Sequence, residues 1–296
     1  MNNKYSVSVV VTTKNRKLFL IRAISSIINQ SLPPIEIIII DDNSEINEKI
    51  SITELTPLKN INNISIIIEY NTKSMGGNYS RNKGVELSAG NIIMFLDDDD
   101  YWLPDKIKDQ INVFKSNSNI GLVYTGKNFV YSNNLDSIIR KSKENINNKN
   151  NIWKGNFPGS TSGVAVTRKC FEIANKFDEN LNSLQDYDLW IRIIKITKVT
   201  WDKKYNLIYT IHNSHNLQIS SDVNKHINSI NYLKIKYSDE ISNLDLKTKR
   251  IFLSRMEHIV ARAYRRNNDF RFLKYYIKSL FLYPSIRTLI LPIYYK

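Results

Sequence analysis

The chain has 296 residues, a formal net charge of +14 and one cysteine. That lone thiol, Cys170, excludes an internal disulfide and a zinc cluster built from thiolates, and its ordinary role is that of a small buried hydrophobe. No apolar run approaches the roughly twenty residues a membrane span needs, and MNNKYSVSVVVTTKNR has too short an apolar core for a secretory signal, so cytoplasmic residence is the expectation.

Ser6 to Thr12 is valine-rich with few polar positions, which predicts a central strand buried on both faces. Lys14-Asn15-Arg16 ends it. Leu18 to Asn29 then carries Leu20, Ala23, Ile24, Ile27 and Ile28 at helical spacing, and Pro33-Pro34 bars continuation. Ile35 to Ile40 repeats the strand pattern and ends in Asp41-Asp42-Asn43-Ser44, completing a unit of the size of a βαβ motif. A polar segment read as helical leads to a third strand, Ile64 to Tyr70. Gly76-Gly77 then opens a helix running to about Ser88.

Ala89-Gly90-Asn91 turns the chain into Ile92 to Leu96, a buried strand that delivers Asp97, Asp98, Asp99 and Asp100 to its end. Adjacent carboxylates repel one another unless something positive compensates. Two readings stay open on these residues alone. Oxygen donors on short stems suit Mg²⁺ or Mn²⁺; alternatively the run is an acidic turn in which Asp100 or Asp105 caps the helix starting near Pro104.

Further on, Lys106 to Ser116 reads as a helix, Gly121 to Tyr131 as one strand, and Ser132 to Asn151 as a mobile polar loop. Gly163 to Thr167 reads as a short strand. A helix opens at Leu184 and continues toward Thr197, with Asp186 and Asp188 in the first turn, where its dipole favours anions. Asn206 to Ile211 is a strand followed by His212. The alternation predicts an α/β fold with a mostly parallel, doubly wound sheet and helices on both faces. The loops at 12–16, 41–44 and 97–100 fall at the carboxyl edge of that sheet, where ligands bind.

From Asp222 the chain turns helical and basic: residues 221–296 hold 15 Lys and Arg against 6 Asp and Glu, while residues 1–100 hold 10 against 12. Arg262, Arg265 and Arg266 share helical spacing, as do Arg271, Lys274 and Lys278, with Leu273, Ile277 and Leu280 on another face. Such charge suits nucleic acid, anionic lipid or phosphorylated ligands.

Val9 to Arg16, Asp41 to Ser44, Gly76 to Gly84, Leu96 to Pro104 and Leu184 to Trp190 together resemble the family 2 glycosyltransferases of the GT-A fold. These enzymes move a sugar from a nucleotide-diphosphate donor to an acceptor hydroxyl with inversion. The resemblance implies that Asp99 coordinates a divalent cation, Mn²⁺ or Mg²⁺, and that Asp97 or Asp98 contacts the ribose or the metal shell. It further implies that Asp42 accepts a hydrogen bond from the base, Thr12 helps to seat it and Asn15 belongs to the nucleotide loop. Arg81 would pair with a phosphate or a nearby carboxylate. Asp186 would be the general base, and His212 would lie near the metal or pyrophosphate, with His215 a competing candidate. The Gly159 to Gly163 loop would face the acceptor, and Trp190 is read as core. Gln185 stands where the family more often has Glu, and Thr13 where many members have Pro.

The expected organisation is a catalytic domain over 1–221, with a nucleotide half to about 105 and an acceptor half from about 106, followed by a basic helical extension over 222–296. The expected partners are a nucleotide-diphosphate sugar and a saccharide or lipid-linked saccharide acceptor in cell-surface polysaccharide or glycolipid synthesis. The extension is a candidate for peripheral contact with the anionic inner face of a membrane, or for packing on the catalytic domain or a second subunit; nucleic acid is not expected. One alternative, a sugar-phosphate nucleotidyltransferase, would place a glycine-rich loop after the first strand, and residues 12–16 contain no glycine. A non-catalytic basic membrane- or nucleic-acid-binding protein leaves the ordered aspartates unexplained.

Overall fold

A computed structural model describes residues 5–55, 64–144, 151–212 and 222–293. They group into two units, one of Met1–Asn148, Pro158–Glu179 and Leu189–Ile211, the other of Lys149–Phe157, Asn180–Asp188 and His212–Lys296.

In the first unit the chain runs through β1 (Val7–Thr13), α1 (Lys17–Ile28), β2 (Glu36–Asp41), α2 (Ile52–Leu55), β3 (Ser65–Tyr70), α3 (Gly77–Leu87) and β4 (Ile92–Asp97). It continues with β5 (Tyr101–Trp102), α4 (Lys106–Ser116), β6 (Ile120–Tyr124), β7 (Lys127–Tyr131), β8 (Arg140–Lys141), β9 (Val164–Thr167) and α5 (Arg168–Ile173). Then follow α6 (Gln185–Ile194), whose opening turn groups with the second unit, β10 (Lys198–Trp201) and β11 (Leu207–Ile211). Seven strands form one sheet in the order β10-β6-β9-β4-β1-β2-β3. Every pairing in it is parallel except those of β9, which runs antiparallel to both β4 and β6.

The continuous apolar runs have their expected consequence: β1 is buried at every residue but Thr12, and β2 at every residue. One face of the sheet, through Val9, Val11, Ile37, Ile39, Met94 and Leu96, packs on Leu20, Ile24 and Ile27 of α1 and Ile107, Ile111 and Phe114 of α4. On the other face Phe95 meets Phe171 of α5 and Phe177, with ring centroids 5.7 and 5.2 Å apart, and α3 crosses β1 and β2. A second sheet, in the order β5-β11-β7-β8, holds the remaining strands.

Several sequence expectations need correction. The single strand expected over Gly121 to Tyr131 is two, β6 and β7, which belong to different sheets. The chain breaks at Thr125-Gly126, where Thr125 N–H bonds to Gly163 and a Cβ on Gly126 would meet the Tyr205 ring 2.5 Å away. The polar stretch after Tyr131 is not all loop, because β8 returns to pair with β7; residues 145–150 of that stretch lie outside the described residues. Of the polar helix expected before β3, only the turn of α2 is formed among the described residues, and β10 was not foreseen. Asp105 sits at the N-cap of α4 without a side-chain cap bond, its carboxylate instead taking the Ser31 hydroxyl at 2.6 Å. Asp100 takes the Thr210 N–H at 3.0 Å.

The second unit carries α7 (Val223–Lys236), α8 (Ser238–Ser242), α9 (Leu246–Arg266), α10 (Phe272–Leu282) and α11 (Ile286–Leu289). Asp222 and Asp245 cap α7 and α9 by accepting the Lys225 and Thr248 N–H groups at 3.1 and 2.9 Å. Trp153 packs edge-on against Tyr237 and Phe252, at 5.7 and 5.4 Å between centroids. A polar ladder ties the last three helices: Ser279 Oγ donates to the Ser254 carbonyl at 2.9 Å and lies 3.4 Å from Thr288 Oγ1, which lies 3.1 Å from His258 Nδ1. Among the described residues no helix is long and apolar enough to cross a membrane.

Candidate active site

Strand register builds the polar edge of the first unit. Thr12 stands beside Asp97 across β1 and β4, and Thr13 beside Asp41 across β1 and β2, so three strand ends deliver polar groups to one edge of the first unit. Asp97 receives Arg81 Nη2 at 2.5 Å and the Thr161 hydroxyl at 3.3 Å, and its N–H donates to Ser162 Oγ at 3.2 Å. The Gly159 to Gly163 loop thus braces the aspartates from within this unit.

Arg16, on the turn after β1, bridges the next two carboxylates: its Nη1 is 3.1 Å from Asp98 Oδ1 and 3.0 Å from Asp99 Oδ2. Burial works against the Arg16 charge, but the Asp98 and Asp99 carboxylates outweigh it and hold the guanidinium pKa above its ordinary value. Asp98 also accepts the Thr13 hydroxyl at 2.8 Å. Burial first and Asp99 second push the Asp98 carboxyl up to about 7, against the opposing pull of Arg16 and Thr13. Asp100, fully enclosed, is raised well above the usual range by burial and then by Asp99 and Asp97. Arg22 donates to the Asp99 carbonyl and lies 5.2 Å over the Tyr101 ring.

The second loop is more occupied than its sequence suggests. Asp42 accepts from Asn71 Nδ2 and from Met75 N–H on one oxygen, at 2.9 and 2.7 Å, and from the Ser74 hydroxyl and Gly76 N–H on the other, at 2.7 and 2.9 Å. Burial raises its pKa, but these bonds prevail and leave it below the usual carboxylate range. Asp42 therefore fixes the loop that leads into α3 and so the approach of Arg81. Asn15, at φ 53°, is held to the loop after β2, donating its N–H to Ser44 Oγ at 2.8 Å and accepting Glu45 N–H at 2.8 Å. Thr12 is half-buried on β1.

In the second unit, Leu184 enters α6 at φ 58°, a conformation a bulky side chain rarely adopts, and its carbonyl accepts the Asp188 N–H at 3.0 Å. This entry sets the first turn. Asp186 Oδ2 accepts Asn156 Nδ2 at 3.0 Å and Oδ1 accepts the Tyr187 N–H at 2.7 Å, leaving the carboxylate half-buried. Asp188 has a different part: fully buried, it takes the Tyr237 hydroxyl at 2.7 Å and Lys236 Nζ at 2.8 Å. In the first unit Trp190 is core, with its Nε1–H donated to the Gly159 carbonyl at 2.8 Å. His212 follows β11 directly and is buried, while His215 lies outside the described residues. Among the described residues no three His, Cys, Asp or Glu side chains converge as a ready-made metal-ligand set.

Sequence reasoning placed Arg16 and Thr13 in the loop at the ligand edge and Thr161 and Ser162 in an acceptor-facing loop, without their bonds to the aspartates, and did not single out Arg22. The β1–β4 register would have exposed the bonds of the first two, because it places the turn after Thr13 opposite the aspartate run.

Residues 8–172 match the family described as Glycosyl transferase family 2. An uncharacterized glycosyltransferase of Rickettsia bellii is 29% identical over 249 residues, covering 81% of this chain and 34% of the relative. Another, from Haemophilus influenzae, is 23% identical over 97% of this chain and 94% of its own length. The Escherichia coli UDP-Glc:alpha-D-GlcNAc-diphosphoundecaprenol beta-1,3-glucosyltransferase WfgD is 25% identical over 66% of this chain and 72% of its own. The chain therefore spans about a third of one of these relatives and most of the other two. Among solved structures, S. aureus TarS 1-349 in complex with UDP has a TM-score of 0.55 at 15% identity, covering 98% of this chain and 93% of that one. The mannosyltransferase PcManGT from Pyrobaculum calidifontis, in complex with GDP-Man and Mn²⁺, has a TM-score of 0.59 at 13% identity, covering 98% and 79%. With the family match spanning more than half of its length and its likeness to these solved structures, the chain belongs to glycosyl transferase family 2 and has the GT-A fold.

Proposed function

We propose that this chain transfers a glycosyl group from a nucleoside-diphosphate sugar to an acceptor hydroxyl, with inversion at the anomeric carbon. The observation that carries the reading is the gathering of Arg16, Arg81 and Asp97 to Asp99 at the carboxyl ends of β1 and β4. Two guanidiniums beside crowded carboxylates suit a diphosphate that arrives with a cation.

The residues fit a hard divalent cation, Mn²⁺ or Mg²⁺. Their donors are carboxylate oxygens, and the buried Asp98 carboxylate is crowded by the half-buried Asp99, a repulsion that added positive charge relieves. Asp99 would hold the metal, with Asp97 or Asp98 in its shell or on the ribose and His212 as a further candidate ligand. Bound there, the cation would supply charge neutralisation to the departing nucleoside diphosphate. Arg16 and Arg81 would pair with phosphate oxygens. Thr12 and Asn15 would line the base and ribose, with Asp42 fixing the Ser74 to Gly76 loop beside them and offering a lone pair to the base edge.

Asp186 would take the proton from the acceptor hydroxyl as that oxygen attacks. Its bond from Asn156 orients the carboxylate for this task. The diphosphoundecaprenol-linked acceptor in WfgD's name supports a lipid-linked saccharide as acceptor, and hence cell-surface polysaccharide or glycolipid synthesis at the inner face of the membrane. Residues 1–221 would then be the catalytic part and 222–296 an accessory one.

Calorimetric titration with UDP, GDP and their sugars, with and without Mn²⁺, tests the reading. Mn²⁺-dependent binding of one nucleotide supports it and names the donor class. A folded protein that binds none of them contradicts it.

A further inference from the structure

We infer that α10 and α11 form a docking face for an anionic lipid bilayer, an inference that rests on the proposed lipid-linked acceptor. Leu273, Ile277 and Phe281 recur every four residues and so share one side of α10, with Phe270 one turn before them. Phe270, Ile277 and Phe281 are 82%, 62% and 83% exposed. Ile286, which opens α11, and Ile293 beyond it are likewise exposed, at 79% and 82%. Isolated exposed aliphatics are commonplace, but large apolar side chains in continuous sequence along two helices mark a contact surface.

This side of α10 cannot turn inward, because its other side is already committed. Ser279 is fully buried and exchanges hydrogen bonds with Ser254 of α9, and Tyr275 stacks on Tyr264 at 5.4 Å. The ladder through Thr288 to His258 fastens α11 to the same scaffold. The exposed side chains are therefore carried by helices fixed from behind.

Charge selects the occupant. Residues 273–293 contain Lys274, Lys278 and Arg287 and no acidic residue. Lys274 and Lys278 follow Leu273 and Ile277 by one position each, so they flank the apolar stripe, with Lys278 also reaching Glu257 at 2.9 Å. Apolar side chains edged by cations match the acyl boundary and phosphate layer of an anionic bilayer. A two-fold dimer through the same face would bring each basic flank toward its own copy.

The test uses the full chain sedimented with vesicles of phosphatidylcholine alone or with about 30 mol % phosphatidylglycerol. The expected result is partitioning at least about tenfold stronger to the anionic vesicles, weakened by salt. The double variant Ile277→Glu/Phe281→Glu should lose about tenfold or more of that binding, with its melting temperature unchanged because both positions are exposed. Lys274→Glu/Arg287→Glu should lose binding to anionic vesicles alone. Absence of wild-type partitioning, or equal partitioning of the apolar double variant, overturns the inference. So does a concentration-dependent dimer, without vesicles, that the same variant dissolves, since it gives the face to a second copy. Nucleotide calorimetry on the same preparations separates the two failures: donor binding without vesicle binding removes only the membrane face, and absent donor binding removes the catalytic reading beneath it.

Discussion

The Thr13 hydroxyl donates to Asp98 Oδ2 across 2.8 Å, joining the last residue of β1 to the first residue beyond β4. A threonine at the end of a central strand thereby holds the charged form of a carboxylate that burial disfavours. Thr13→Val keeps the shape and removes that donor. The expected cost is about 1 kcal/mol in stability at neutral pH, seen in urea unfolding, with weaker Mn²⁺-dependent nucleotide binding by calorimetry.

Arg16→Ala leaves Asp98 and Asp99 facing each other without their shared guanidinium. Since Arg16 is itself partly exposed, the metal-free protein should lose about 1–3 kcal/mol, less than a fully buried pair would. Mn²⁺ then replaces the missing charge, so the metal-induced rise in melting temperature should be larger in the variant than in wild type. A smaller rise would mean that Arg16 does not compensate these carboxylates.

Asp186→Asn retains an oxygen for the bond from Asn156 and removes the basic carboxylate. Turnover should fall by about 10²–10⁴ while donor affinity stays at the wild-type value. Steady-state rates and calorimetry on one preparation decide it, and near wild-type turnover would release Asp186 from the role of base.

Gly84 sits inside α3, where alanine would ordinarily strengthen a helix. A Cβ there would lie 2.4 Å from Val10 Cγ1 and 3.3 Å from Ile40 Cγ1. Gly84→Ala should therefore destabilise by about 1–3 kcal/mol through overpacking, and should also displace Arg81, which the same helix carries. Thermal melting and nucleotide affinity should fall together.

His258 in the second unit gives a pH dependence. Burial, and then Arg287, Arg262 and Arg255, push its pKa down to about 3. The unfolded chain binds this proton near the ordinary histidine value, and the folded chain does not bind it until far lower pH. Stability from the neutral, Thr288-bonded ring is thus present above about pH 6.5 and is lost as pH falls, by at most about 1.4 kcal/mol per unit. Urea unfolding at pH 7.5 and 5.5 should show this loss, and His258→Gln should show a shallower one. Equal slopes would place the acid sensitivity elsewhere.

Much of the fold was legible in the residues themselves. Val9 to Val11, Ile37 to Ile40 and Ile92 to Leu96 have no polar interruption, so burial on both faces and a parallel sheet follow from them directly. The strand ends at Thr12, Asp41 and Asp97 then share an edge by register alone. Local pattern was silent where long-range pairing decides. The similar apolar character of Leu122-Val123-Tyr124 and Phe129-Val130-Tyr131 misled at β6 and β7, because Gly126 lets the chain leave one sheet for another against Tyr205, a partner far along the chain. Arg16 carried no signal of its own, since only the pairing of β1 with β4 brings it to Asp98 and Asp99. Asp42 was legible as a loop aspartate, whereas the four groups that engage it come from Asn71 to Gly76 and emerge only when β2 and β3 lie side by side.

The antiparallel strand β9 bears on how the protein is made. β4 and β6 do not pair with each other; β9 lies between them and pairs with both. During synthesis the chain up to Tyr131 can pair only β4-β1-β2-β3 of the large sheet, so the β4 edge stays bare and β6 has no strand partner until Val164–Thr167 emerges. Closure is therefore a late, non-local event, of the kind that slows folding and leaves sticky edges open. A nascent or truncated chain that stops short of Val164 should aggregate, and one reaching Thr167 should be the first to close the sheet across β4, β9 and β6.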